Sequence, residues 1–150
     1  MSTLKTRLET DLRTSMKARD ELVTSTLRMA LTAVRAAEVS GSAARELSDD
    51  EVLAVLTKEA KKRREAAVAF ADAGRTESAQ KERDEEEVLV RYLPAQLSEE
   101  ELRDIVTGAL AAAGITDRTK LGPAMKAAQA AVAGRAEGGR VAAEVKRQLS

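Results

Sequence analysis

The chain has 150 residues, 25 basic and 25 acidic, with no cysteine, no histidine and only Phe70 and Tyr92 as aromatics. Those absences exclude disulfides, thiolate nucleophiles, imidazole bases and the usual zinc ligands, while zero net charge excludes a global field that would draw in nucleic acid or membrane. A compact fold of this length buries roughly 70% of its unfolded surface, so the core must come from many close contacts of Ala, Leu and Val.

In chain order, Leu4, Leu8, Leu12 and Met16 recur every four residues and predict an amphipathic helix capped by Ser2 or Thr3 and ending near Asp20. The opening "MSTLKTRLETDL" holds no apolar stretch of the length that a signal peptide or a membrane span requires, and the expectation is a soluble, cytoplasmic protein. A second helix follows, with Leu22, Thr26, Met29, Ala33 and Ala37 near one stripe and Leu27, Leu31 and Val34 beside it. Gly41 and its small polar neighbours predict a loop. In "LSDDEV", Ser48 and Glu51 form a capping box and Leu47 staples to Val52. The third helix carries Val52, Val55, Leu56, Ala60, Ala67 and Phe70 on its apolar face, and Gly74 stops it.

Thr76 restarts a helix whose early turns are polar and whose last turns hold Val88, Leu89, Tyr92 and Leu93. Pro94 disfavours helical angles at Leu93. "LSEEEL" then repeats the earlier start signal: Ser98 caps, Glu101 reciprocates and Leu97 staples to Leu102. Tyr92, Pro94, Ser98 and Glu101 accordingly mark a junction, with the Tyr92 ring closing the first unit and its hydroxyl reaching a partner across the junction. The next helix has a stripe of Leu102, Ile105, Val106, Ala109 and Leu110 and ends at Gly114. Asp117 or Thr119 caps another, in which Pro123 is tolerated within the first turn and Leu121, Ala124, Met125, Ala128 and Val132 face inward. After "GRAEGG" a short last helix places Val141, Val145 and Leu149 on one side. No strand pattern appears. The fold class is all-α, with an N-terminal domain of about four helices over residues 1–93 and a C-terminal three-helix module over 94–150.

Three constellations invite a chemical reading. "KEAKKRREAA" concentrates Lys58, Lys61, Lys62, Arg63 and Arg64, which could meet a phosphate backbone. Consecutive helical residues turn by ~100° each, however, and Glu59 with Arg63 and Lys61 with Glu65 are i,i+4 pairs, the pattern of a solvated face. "GRAEGGR" offers backbone amides at the start of a helix, but it lacks a Lys-Ser/Thr ending and a preceding strand, so it is either a plain turn or an RNA-backbone contact flanked by Arg135, Arg140, Lys146 and Arg147. "KERDEEEV" holds five carboxylates interleaved with bases and reads as an exposed charged face, not a metal site. No serine, threonine or lysine stands in a nucleophile arrangement. The residues therefore indicate no catalytic group, no metal and no cofactor.

Several segments together resemble the YqeY family: "TLRMALTAVRAAE", "LSDDEVLAVLTKEAKKRREA" leading to "FADAGR", "YLPAQLSEEEL" and "GRAEGGRVAAEVKRQL". The resemblance covers nearly the whole chain. It implies a family-specific helical domain followed by a module like the tail of GatB, a subunit of the tRNA-dependent amidotransferase, where that tail helps to hold tRNA. Gly122 and Met125 match the family's Gly-Lys-Val-Met-Gly-like stretch, whereas Pro123, Lys126 and Gln129 depart from it, and Glu137 stands where an aspartate is usual.

Charge is distributed to suit that implication. Residues 93–117 carry one basic and five acidic side chains, and residues 118–150 carry seven and two. The leading expectation is a non-catalytic module that binds tRNA, or a tRNA-processing assembly, through Lys120, Lys126, Arg135, Arg140, Lys146 and Arg147. A second is a protein-interaction module docking on an amidotransferase-like complex through helix 77–91 or the cluster at 58–65. A third, carbon-nitrogen ligase activity with glutamine as amide donor, rests on the family association alone.

Overall fold

Five helix starts are set by short polar side chains bonding the first free backbone amides, as N-terminal capping requires. The computed structural model describes residues 2–150. Ser2 accepts from the Lys5 amide and opens α1 (Thr3–Lys17), and Asp20 accepts from Val23 and opens α2 (Glu21–Glu38). Complete capping boxes, Ser48 with Glu51 and Ser98 with Glu101, open α3 (Asp49–Asp72) and α5 (Glu99–Ala113). Between them lies α4 (Thr76–Val90). Asp117 starts a 3-10 turn, Arg118–Lys120, that runs into α6 (Leu121–Val132), and α7 spans Gly138–Leu149. Among the described residues there are seven α-helices and no strand.

Helix ends are equally specific. Gly74 and Gly114 take the left-handed conformation just past α3 and α5, at φ 76° and 68°, where a side chain would be strained. Arg19 and Ala133 adopt positive φ without being glycine. After α1 the compensation is a pair of backbone bonds, Arg19 N–H to the Met16 carbonyl and Asp20 N–H to that of Ser15.

Chain contacts separate a first compact unit ending at Leu93 from a second spanning Pro94–Ser150. The first unit packs α1 to α4 around Leu8, Leu27, Leu31, Val34, Leu56 and Leu89, with α3 and α4 forming a long antiparallel hairpin. The second packs α5, α6 and α7 around Leu102, Val106, Ala124, Ala128, Val141 and Val145. Both stapling pairs expected from sequence, Leu47 with Val52 and Leu97 with Leu102, are buried in their respective cores.

Three expectations need correction. The buried face of α2 is Thr26, Leu27, Ala30, Leu31 and Val34, with Ala33 and Ala37 half-buried, while Leu22 and Met29, expected on the same face, are exposed. Helix α4 ends at Val90, before Tyr92 and Leu93, whose amides bond the Leu89 and Val90 carbonyls as a terminal turn. Its early turns are also anchored more firmly than their polarity suggests, since Ala79 and Glu85 are buried.

Candidate nucleic-acid interface

In the second unit, local chain geometry decides which basic side chains are occupied. Helix α6 ends in consecutive left-handed residues, Ala133 and Gly134, after which the Arg135 amide turns back to the Val132 carbonyl at 3.1 Å. Arg135 supplies donors: Nε donates to the Val132 carbonyl at 3.0 Å and Nη2 to that of Ala131 at 3.1 Å. The Arg135 carbonyl in turn accepts from the Leu97 amide at 2.7 Å, tying the turn before α7 to the strap before α5. Arg140 completes that tie, donating to the Leu97 carbonyl and to Glu99, each at 2.9 Å. The late glycine-arginine turn is therefore a structural joint, and Arg135 and Arg140 are half-buried within it.

On α7, Ala143, Lys146, Arg147 and Ser150 fall on one face at helical spacing, opposite the buried Val141, Val145 and Leu149. Arg147 is clamped by Glu144 through two parallel bonds, Nε to Oε2 at 2.7 Å and Nη2 to Oε1 at 2.6 Å. Gln148 adds a third donor to Glu144, and these bonds, the Arg147 contact foremost, hold the Glu144 carboxyl at a pKa of about 2. The pair therefore stays charged, and the guanidinium plane stays fixed, throughout the physiological range.

Four exposed cations between residues 118 and 150 lack an ion pair. Arg118, Lys120, Lys126 and Lys146 are exposed and make no ion pair among the described residues. Arg118 and Lys120 are presented by the 3-10 turn, which Asp117 fixes by accepting from the Thr119 amide at 2.8 Å and from the Thr119 hydroxyl. Arg118, Lys146 and Arg147 line a surface cleft of about 500 Å³ together with Leu121, Ala143 and Ser150. Lys126 sits on α6 outside that cleft. Of the six basic residues expected at the interface, Lys146 and Arg147 are thus brought together, Lys120 adjoins them in sequence through the turn, and Arg135 and Arg140 serve the turn itself. Arg118 was missed by sequence reasoning, although its place in the same turn as Lys120 was the available signal.

The cluster on α3 has a different fate. Arg63 bonds Glu59 at 3.1 Å and lies 3.5 Å from buried Glu85 of α4, Arg64 meets Glu86 at 2.9 Å, and Lys62 and Lys61 approach Glu59 and Glu65 at 3.8 and 4.0 Å. Lys58 is exposed. The expected pairs Glu59–Arg63 and Lys61–Glu65 are both present, and the charges of "KERDEEEV" supply most of the rest. Glu85 is not on an exposed face: only 4% of it is accessible. Burial foremost, then Glu82 nearby, pushes its carboxyl above the usual range despite Arg63. Among the described residues no group of acidic side chains is arranged to hold a metal ion.

At the expected junction, Tyr92 is half-buried and its hydroxyl donates to Asp11 Oδ2 at 2.5 Å, with the Arg7 guanidinium 4.6 Å from the ring centroid. Both partners belong to α1, so the hydroxyl is satisfied inside the first unit and not across the junction. Burial, with the Asp11 contact second, pushes the phenol well above its ordinary range. Ser98 and Glu101 exchange the two capping bonds, 3.0 and 3.1 Å, and Pro94 precedes them in an extended strap.

No helix among the described residues is long and apolar enough to cross a membrane. No curated protein matches the chain. A family model described as Yqey-like protein matches residues 5–149, and the chain therefore belongs to the Yqey-like family.

Proposed function

We propose that this chain is a non-catalytic cytoplasmic module that contacts tRNA, directly or within a tRNA-processing assembly, through its second unit. The observation that carries the reading is the set of four exposed cations without an ion pair, Arg118, Lys120, Lys126 and Lys146, in the stretch 118–150, where each of the other basic side chains has a carboxylate or carbonyl partner. Phosphate oxygens are the partners that such cations accept without further rearrangement. On this reading the first unit is the family's own helical domain and the second is a module akin to the amidotransferase tail. With no aromatic ring in the second unit, affinity comes mainly from the backbone and depends on salt.

The test is a titration of labelled tRNA at two salt concentrations. Four phosphate contacts predict a loss of roughly 50- to 150-fold in affinity between 50 and 200 mM salt. Absence of binding at the lower salt rejects the proposal. Co-purification of a protein that survives nuclease treatment favours the alternative, docking on an amidotransferase-like complex.

A further inference from the structure

The cleft between the 3-10 turn and α7 has a composition that phosphate binding alone does not require. Leu121, half-buried, and Ala143 give it an apolar lining, and its volume of about 500 Å³ exceeds that of a nucleotide base with its sugar. A flat electrostatic patch for a duplex backbone has no use for such a recess. Arg147 adds a planar group whose in-plane donors Nε and Nη2 are already engaged by Glu144. A guanidinium held in that way by a carboxylate is poor at gripping a phosphate but retains both of its faces, and guanidinium planes are among the surfaces on which unstacked bases lie. Arg118 and Lys146 line the same cleft as unpaired point charges, suited to the phosphates on either side of a base.

We infer that this cleft is a single-nucleotide site for unpaired RNA: one splayed base lies against the Arg147 guanidinium over Leu121 and Ala143, and Arg118 and Lys146 contact the flanking phosphates. The inference rests on the proposed RNA-binding role and narrows it from any RNA backbone to a single-stranded segment, a loop or an end. It also assigns Glu144 a positioning role, because the carboxylate removes local positive charge yet fixes the plane on which the base rests. Gln148 donates to the same Glu144 oxygen and to the Arg103 carbonyl, so the clamp is braced against α5.

The experiment uses the full chain, a five-nucleotide oligoadenylate and an RNA duplex of matched charge, read by fluorescence anisotropy and by NMR of the Leu121 and Ala143 methyl groups. The oligoadenylate is expected to bind more tightly than the duplex and to move both methyl signals upfield through ring currents. Arg147→Lys keeps the charge and removes the plane, so oligoadenylate binding should weaken about tenfold while the duplex affinity and the salt slope stay unchanged. Glu144→Gln removes a negative charge beside the RNA, which pure electrostatics predicts to tighten binding, whereas a positioned plane predicts weakening. Both substituted side chains lie at or near the surface, and circular dichroism checks that the helices persist. The inference is overturned if the duplex binds as well as the oligoadenylate, if R147K leaves the two RNAs unaffected or weakens them equally, or if E144Q tightens binding. If R147K and E144Q leave tRNA affinity intact, the cleft is rejected and the broader reading stands; if wild-type protein binds neither tRNA nor oligoadenylate, both fall.

Discussion

Two basic regions of the sequence end in opposite states. Between Lys58 and Arg64 five cations crowd into seven residues, and four of them meet carboxylates on α3 or α4. Between Arg118 and Lys146 the cations are more widely spaced, yet four are exposed without an ion pair. The α3 cluster faces a helix supplied with Glu82, Glu85 and Glu86, whereas α6 and α7 together carry a single acidic residue, Glu144. Charge available to a partner is therefore set by what the neighbouring helix presents, and local density of lysine and arginine is a poor guide to it.

Replacing Arg118, Lys120, Lys126 and Lys146 together by alanine breaks the comparison most directly. It should lower tRNA affinity about 100-fold at 100 mM salt with little effect on unfolding, while the corresponding change at Lys58, Lys61 and Lys62 should shift affinity less than about threefold. Next in size is Arg63→Met, which strands the buried Glu85 carboxylate; a loss of about 2–3 kcal/mol in urea unfolding at pH 7 is expected, and the double variant Arg63→Met/Glu85→Leu should recover most of it. Removing the hydroxyl in Tyr92→Phe leaves Asp11 without its donor and should cost about 1.5 kcal/mol, with tRNA binding untouched. Arg135→Ala should cost about 1 kcal/mol by freeing the Ala131 carbonyl at the end of α6, marking that arginine as part of the frame and not of the interface.

Acid titration sharpens the contrast from another side. Asp49, bonded chiefly by the Ser2 hydroxyl, then by the Leu4 amide and the Thr3 hydroxyl, and Glu51, bonded chiefly by Arg45 and the Ser48 amide, both have pKa values held at about 2. Their folded values lie below the unfolded ones, so their stabilisation is complete above about pH 4.5 and is lost as pH falls toward 2. Glu85 has the opposite sign, because its folded value is raised and ionisation opposes folding. Stability of the first unit should thus rise slightly as pH falls from neutrality toward the ordinary glutamate range and then decline. Glu85→Gln should abolish the rise and keep the decline, as followed by Tyr92 fluorescence in urea.

Much of the architecture was legible because it is written in local chemistry. Ser48 with Glu51 and Ser98 with Glu101 stand three residues apart beside a stapling pair, and Gly74 and Gly114 fall where left-handed backbone ends a helix. What escaped sequence reading depends on non-local partners. Leu22 and Met29 share a stripe with Thr26, but only the arrangement of α1, α3 and α4 reveals that they face solvent. Glu85 lies in an acidic run whose other members are exposed or half-buried, and its burial follows from the α3–α4 hairpin placing Arg63 opposite it. Arg135, Arg140 and Arg147 had the same sequence signature as Lys120 and Lys146. They differ because a guanidinium reaches carbonyls and carboxylates that a lysine in the same place would not grip with two bonds.

The central claim is that the second unit offers unpaired cations to an RNA backbone, and the most direct measurement is the affinity of the intact chain for tRNA at 50 and 200 mM salt. A log–log slope near −3 to −3.6, reduced by about one for each of Arg118, Lys120, Lys126 and Lys146 replaced by alanine, is the predicted result. Undetectable binding at 50 mM salt, or a slope that none of the four substitutions changes, would contradict it.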